Sequence, residues 1–520
     1  MIWIYALGAL TLLAATELSL QQPLTAPRLR QCDSWTSSTL PHEPVPRKDV
    51  YFPDPWSYCR TRDILEIQNV SFIGRSDLFG MPDRVIAGES WSISLISRWK
   101  DGRLRCSLAD VYTSTVRGPA LALEESVPFG RGWYKITHNL PIPGKYSISI
   151  TLDHADCHGG YHCPGTYQRP YFEQHQKTIL VSAFPSVAPP ATPEFTGMWL
   201  SRGFVEGMAD PGLRMQVRDV PLKTDRFFWS APSSNPLMSS SNSSNVIHSA
   251  FNWSCAQQQW LFFLGDSLDR QLFGALVNSL KRSGHPVICS GGDEGLDLGL
   301  CVEGTKPRGK LRRDIAGIPA CVDRWWCVAP TLTLLVSYKA MLSHEDVETL
   351  RPVQLMRQHQ GEVLLWIRNH TDSAKFGNVK SHLLGRNATP TTILVNYGLH
   401  AVETLPYDDV SGNWTDVGYM RLVKTLLTRL QSLPALLLWR DTAYTQFPRA
   451  NVNPGMRCRS SQRVDITNVL ANRVVNDLGI KILSMANLTR ARRWAAPDNR
   501  HYGDTDVNHV ACMLLLDLLC

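Results

Sequence analysis

The sequence predicts two folded domains in tandem, a β-sandwich followed by an α/β domain built on a parallel sheet. Three observations carry this reading. Apolar and polar residues alternate within 60–182, short unbroken apolar runs take over after position 251, and the stretch between, 183–250, is rich in Pro, Ser and Asn. A chain of 520 residues exceeds one ordinary core and fits about two to four units. Its 43% hydrophobic and 19% charged residues are those of a globular protein and exclude wholesale disorder.

Residues 1–18 are apolar from Ile2 to Ala15 and end near small residues, the pattern of a signal peptide or signal anchor. Thirteen cysteines and seven Asn-x-Ser/Thr sequons, at Asn69, Asn242, Asn252, Asn369, Asn387, Asn413 and Asn487, agree with a disulfide-forming, glycosylating compartment. The expected location is the secretory pathway, either secreted or in the Golgi lumen. A net charge of +7 is spread along the chain without basic runs interleaved with aromatics, so nucleic acid is not an expected partner. The cluster from Cys157 to Cys163 has no second ligand pair of matching spacing; it reads as a disulfide or loop, and no metal is expected.

Within 60–182, Trp91, Ile93 and Leu95 alternate with polar residues, as do Tyr146, Ile148, Ile150 and Leu152. This is the period of half-buried strands, and Lys100-Asp101-Gly102-Arg103 reads as a hairpin turn. A sandwich of immunoglobulin-like type is predicted. Residues 183–250 read as a linker, because VAPPATP and the Ser/Asn-rich stretch that follows bury little apolar surface.

The second domain should span 251–520. Its runs WLFFL (260–264), TILV (392–395) and ALLL (435–438) are followed by Gly265-Asp266-Ser267, Asn396-Tyr397-Gly398 and Arg440-Asp441-Thr442. Open α/β sheets bind ligands beyond the carboxyl ends of their strands, so these three segments are expected at one site. A glycine after a buried strand lets the chain turn sharply and present Ser267 at a helix start; the bland reading makes Ser267 a helix cap. Near the C-terminus Asp506 precedes His509 by three residues, a spacing at which the carboxylate can hold the imidazole that accepts the serine proton. His400 and His501 are rival bases, and His509 is preferred to them.

WLFFLGDSLDRQ, NYGLH, WRDTAYTQF and DVNH, in that order over 251–520, resemble the PC-esterase branch of the SGNH-hydrolase superfamily. That branch includes the neurexophilin-and-PC-esterase (NXPE-like) proteins, the trichome-birefringence-like polysaccharide O-acetyltransferases and sialic-acid O-acetyltransferases. A sandwich ahead of such a domain resembles the NXPE arrangement. The resemblance implies a flavodoxin-like parallel sheet, Ser267 as nucleophile, Asp506 and His509 as its partners, and Asn396 with the Ser267 N–H as oxyanion donors. Gly291 or Gly292 is the candidate for the superfamily's second-block glycine, against a plain loop.

It further implies a glycan O-acetyltransferase working through a serine acyl-enzyme, with acetyl-CoA as acyl donor and no bound cofactor. Arg270 and Arg440 are candidates to hold an acidic group of the substrate, against ion pairs with Asp266, Asp269 or Asp441. The alternatives are a carbohydrate O-acetyl esterase and an inert secreted protein whose sandwich binds a cell-surface partner.

Overall fold

The computed structural model describes residues 73–99, 111–130, 133–154, 175–183, 198–201, 227–231, 246–247, 251–290, 324–341, 344–369, 373–386, 389–398, 401, 416–445, 461–496, 502–503 and 505–520. The predicted signal segment, the Lys100–Arg103 turn, the Cys157–Cys163 cluster, Gly291 and Gly292 lie outside these residues.

The N-terminal part is two facing antiparallel sheets. One is ordered β1 (Ile73–Phe79), β3 (Ser90–Trp99), β7 (Trp133–Asn139), β6 (Val127–Gly130). The other is ordered β12 (Val246–Ile247), β11 (Phe227–Ala231), β10 (Met198–Ser201), β5 (Ala120–Glu125), β4 (Val111–Arg117), β8 (Gly144–His154), β9 (His175–Ser182), β2 (Arg84–Ile86); its one parallel pair is β2 with β9. The alternation seen in the sequence is the inward face. Ile93, Leu95, Tyr134 and Ile136 of the first sheet meet Tyr112, Tyr146, Ile148 and Ile150 of the second in one core.

The predicted linker is corrected. Strands β10, β11 and β12 fall inside 183–250 and extend the larger sheet through β5. The proline run read as a spacer lies just ahead of Met198–Ser201, and the aromatic FFWSA of 227–231 has high strand propensity, enough to pair backbone despite the polar sequence around it.

From Trp260 a seven-stranded sheet forms in the order β14 (Ile288–Cys289), β15 (Arg324–Ala329), β16 (Leu334–Ala340), β13 (Trp260–Gly265), β17 (Thr392–Val395), β18 (Leu436–Arg440), β19 (Lys481–Leu483). The last five are parallel, while β15 and β14 add an antiparallel edge. Numbered along the chain, the parallel strands lie 2-1-3-4-5, the flavodoxin-like doubly wound order with its switch point between the first and third. Helices cover both faces: α1 (Ser267–Arg282), α2 (His344–Thr349), α3 (Pro352–Asn369), α4 (Gly377–Gly385), α5 (Asp416–Leu430), α6 (Ser461–Asp477), α7 (Met485–Arg490) and α8 (Asp506–Leu519). Strand β13 is buried along its whole length, as a central parallel strand must be. Leu261 and Phe263 pack towards α1 and α8, Trp260, Phe262 and Leu264 towards α3 and α5. Disulfides Cys255–Cys520 and Cys289–Cys327 tie the end of α8 to the residues just before β13, and β14 to β15.

His359 of α3 is buried among Trp260, Phe262 and Trp326, with neither ring nitrogen hydrogen-bonded. Burial first, then Arg324 and Lys339, push its pKa from 6.5 down to about 3. Below pH 6.5 the unfolded chain therefore takes up a proton that the folded chain refuses, and stability falls. Replacing His359 by Phe removes this effect. Denaturant unfolding of both proteins should give a constant stability difference above about pH 7, moving towards the variant by up to about 1.4 kcal/mol per pH unit between about pH 6 and about pH 4. Parallel curves would show that the ring is charged in the fold.

Candidate active site at the carboxyl edge of the sheet

The three segments picked out by the sequence meet at one edge. In register Leu264 lies beside Val395 and Val395 beside Trp439, so Gly265-Asp266-Ser267, Asn396 and Arg440-Asp441 all emerge at the carboxyl ends of adjacent parallel strands. Ser267 and Asn396 flank the switch point, where such sheets form their crevice.

Asp266, not Ser267, caps α1. Its Oδ1 accepts from the Leu268 N–H at 2.8 Å, and the Asp269 Oδ2 accepts from the Asp266 N–H at 3.0 Å, a reciprocal capping box. Ser267 thus occupies the first helical position and is 9% exposed. Its backbone N–H lies in the first turn, at the positive end of the helix dipole. A side chain at Gly265 would collide with the Asp269 carboxylate and press on the Asn396 carbonyl, so this glycine is required by close approach.

Behind the serine stands a buried charge network. Arg440, 1% exposed, donates from Nε to Asp269 Oδ1 at 2.5 Å and from Nη2 to Asp269 Oδ2 at 2.8 Å. Asp266 Oδ1 is 3.6 Å from the same guanidinium. Burial pushes the Asp269 carboxyl up to about 6, opposed by Arg440, and the carboxylates raise the Arg440 pKa against its own burial. Asp441, pushed up to about 6 by burial, accepts from Ser484 Oγ at 2.9 Å and the Ala486 N–H at 2.8 Å. Arg440 is therefore corrected from a substrate-binding candidate to a structural tie, because its donors are committed to Asp269 away from solvent. Arg270 lies on the first turn of α1 and is partly exposed.

Asn396 is fully buried and donates from Nδ2 to the Arg440 carbonyl at 2.6 Å. A primary amide carries two hydrogens, so one remains after that bond. Gly398 allows Thr442 to pack against this turn, and Asn468 holds Thr442 through two bonds, Thr442 N–H to Oδ1 at 2.7 Å and Nδ2 to the Thr442 carbonyl at 2.9 Å. Nothing in the local spacing marks Asn468, which arrives from α6.

The Asp506–His509 pair is not assembled with Ser267, and its assignment as the serine's partner is corrected. His509 Nδ1 is 3.0 Å from Ser279 Oγ, and Arg282 donates to Nε2 at 2.7 Å. From position 267 to position 279 the helix rises about 18 Å, so this imidazole sits at the far end of α1 with its acceptor nitrogen occupied. The Asp506 carboxylate faces Arg492, with Arg492 Nη2 donating to Oδ1 at 3.0 Å and Nη1 2.8 Å from Oδ2. The sequence holds a second pair at the same spacing, Asp498-Asn499-Arg500-His501. These residues and His400 lie outside the described ones. Tyr502 and Gly503, which follow His501 directly, are described. The Tyr502 hydroxyl donates to the Tyr444 carbonyl, and the Gly503 N–H donates to Gln271 Oε1 at 2.8 Å. Gln271 is one turn beyond Ser267 on α1.

Among the described residues no group of three or more His, Cys, Asp or Glu side chains is placed to hold a metal, and no helix is long and apolar enough to cross a membrane. No family model and no curated protein matches the chain. Solved structures aligned with it include an acetyl xylan esterase, AlAXEase, at 10% identity over 50% of this chain and 99% of that one, with a TM-score of 0.25. A GDSL-like lipase from Parabacteroides merdae aligns at 10% identity over 51% of this chain and 97% of that one, with a TM-score of 0.24. At such TM-scores neither likeness bears on function, and the fold stands on its own strand order.

Replacing Asp269 by Asn leaves the Arg440 guanidinium buried without its bidentate carboxylate. Such a loss costs about 3–5 kcal/mol, to be read as a lowered denaturation midpoint at unchanged denaturant slope. A midpoint equal to the wild type's would show that the pair contributes nothing to the edge.

Proposed function

We propose that this chain is an SGNH-type serine acyl-transfer enzyme acting on O-acyl groups of carbohydrate. The observation that carries the reading is the placement of Ser267 at the first position of α1, with Asn396 across the switch point of a 2-1-3-4-5 sheet. The Ser267 N–H and the second Asn396 amide hydrogen are the oxyanion donors. The base is assigned to His501, oriented by Asp498, because the Asp-x-x-His spacing recurs there and Gly503, two residues on, donates to Gln271 one turn beyond Ser267.

His501 takes the Ser267 proton as Oγ attacks the acyl carbonyl. The tetrahedral oxyanion collapses, the C–O or C–S bond to the donor breaks, and the imidazolium returns the proton to the leaving alcohol or thiol. The acyl-enzyme then passes its acyl group to a second hydroxyl deprotonated by His501. A sugar hydroxyl there gives O-acetyl transfer, with acetyl-CoA as a donor of suitable chemistry, and water gives an esterase. Arg270 lies three residues after Ser267 on the same helix face and is assigned to an acidic group of donor or acceptor. A secretory location is favoured by the two disulfides, and a cell-surface partner for the sandwich remains part of the inert-protein alternative.

Release of acetate from acetylated glycans, and label transfer from acetyl-CoA to glycans, should both be measured. Ser267→Ala and His501→Ala are expected to lose about four orders of magnitude or more, as members of a triad fail together, and Asp498→Asn somewhat less. His509→Ala should keep near wild-type turnover while losing about 1 kcal/mol of stability with its hydrogen bonds. Loss of turnover in His509→Ala with retention in His501→Ala would overturn the assignment of the base. Labelled sugar identifies a transferase; free acetate with no label on sugar identifies an esterase.

A further inference from the structure

A cavity of about 270 Å³ opens at the carboxyl end of β16, lined by that strand, by α2 and by the first two turns of α3. Its floor is apolar, made by Leu264 of β13, Met341 and Leu355. Met341 follows β16 directly and donates its N–H to the Gly265 carbonyl at 2.8 Å. Leu264 is three residues before Ser267, at most about 11 Å along an extended chain. The cavity therefore adjoins the edge from which the candidate nucleophile emerges.

The rim is polar. Lys339 of β16 and Arg351, the residue before α3, stand on it with Gln354 and Gln358, which lie one turn apart on α3. Asp346 of α2 is the one carboxylate among the described lining residues. Arg351 and Gln354 are exposed, and among the described residues no side chain engages either of them. Gln358 gives its amide N–H to Glu362 at 3.1 Å, and Glu362 also takes Arg324. A wider cavity of about 850 Å³ shares Arg351, Gln354 and Gln358 and adds Arg357, with no carboxylate among its described lining residues. Positive potential in this corner is felt by His359, the neighbour of Gln358: after burial, the charges of Arg324 and Lys339 are what lower its pKa.

An apolar floor under a few convergent polar groups is the usual form of a small-molecule site, and ordinary ligand cavities begin at about 300 Å³. A guanidinium without a partner presents five donors in a planar fork that matches the oxygens of a phosphate or a carboxylate. Two cations, Lys339 and Arg351, against one carboxylate leave the smaller cavity positive. We propose that this cavity is an anion subsite of the acyl-transfer centre, in which Arg351 and Lys339 bind a phosphate or carboxylate group of the substrate and Gln354 hydrogen-bonds beside them. Its use in substrate selection rests on the acyl-transfer reading of Ser267, while the binding of the anion does not. A phosphate would belong to an activated acyl donor, a carboxylate to an acidic sugar acceptor. Arg270 belongs to α1, which packs on the opposite face of the sheet from α3, so the two arginines mark different places.

The full chain is titrated calorimetrically with coenzyme A, with a glucuronate-containing disaccharide and with lactose. Wild type is compared with Arg351→Gln, Lys339→Gln, the double variant, Arg270→Gln and Ser267→Ala, with folding verified by circular dichroism. Arg351 is exposed, so its variant is the one most certain to fold. Wild type is expected to bind coenzyme A, the disaccharide or both, and to bind lactose at least tenfold more weakly. The dissociation constant for the anion is expected to rise about tenfold in each single cavity variant, as for one charge-assisted contact, and further in the double variant. Binding of coenzyme A identifies the donor's phosphate as the ligand, and binding of the disaccharide alone identifies the acceptor's carboxylate. No binding of either anion at millimolar concentration, wild-type affinity in the folded double variant, or loss confined to Arg270→Gln would overturn the subsite. Ser267→Ala that binds the anion normally and retains turnover would sustain the subsite and sink the serine assignment instead.

Discussion

Everything at the carboxyl edge of the sheet depends on one buried guanidinium. Arg440 ends the fourth parallel strand and reaches past the third to the first turn of the helix that follows the first, where Asp269 receives it with two hydrogen bonds. Its backbone carbonyl meanwhile takes the Asn396 amide. Three strand ends are tied through a single residue. Taking these charges out of water is expensive and is offset only by near-complete pairing. The geometry admits no slack: Asp269 reaches the guanidinium because Gly265 has no side chain, and the same carboxylate takes the Asp266 N–H that opens the helix.

That tie decides what Ser267 is able to do. With Asp266 and Asp269 closing the capping box, the serine is not needed as a cap and stands at the first helical position instead. The serine thereby lies at the positive end of the helix dipole, a field that suits the oxyanion of the proposed reaction. The second support comes from outside the domain. Trp199 is contributed by the sandwich, and it fixes Arg492, which fixes the start of α8. Trp199, within the stretch read as a linker, and Leu121 of β5 are both buried in the core of the α/β domain.

Much of this was legible in the sequence, for definite reasons. Unbroken apolar runs such as WLFFL mark buried parallel strands, and the polar residues after each one mark the edge where ligands bind. Hence Ser267, Asn396 and Arg440 were all placed at the right end of the sheet. The strict alternation from Tyr146 to Leu152 marked an inward face, and all four apolar residues there are buried. The role of Arg440 was open, because an arginine beside aspartates reads equally as a ligand or as an ion pair, and only burial separates the two. Asp-x-x-His occurs twice within twelve residues of sequence, from Asp498 to His509, and spacing carries no information about which imidazole faces the serine; the structure shows His509 engaged by Arg282 and Ser279 instead. Trp199 was illegible: its hydrogen-bond partner lies 289 residues away, and the prolines ahead of it suggested a spacer.

The central claim is that Ser267 carries the acyl group between donor and acceptor. Brief incubation of the wild-type protein with an activated acetyl ester, followed by acid quenching, proteolysis and mass spectrometry of the peptide containing Leu264 to Arg270, tests it most directly. One acetyl group on Ser267, accumulating in a burst and disappearing when water or a sugar acceptor is allowed to react, is the predicted result. Turnover of the ester with the acetyl group found on another residue, or on none, would contradict the account.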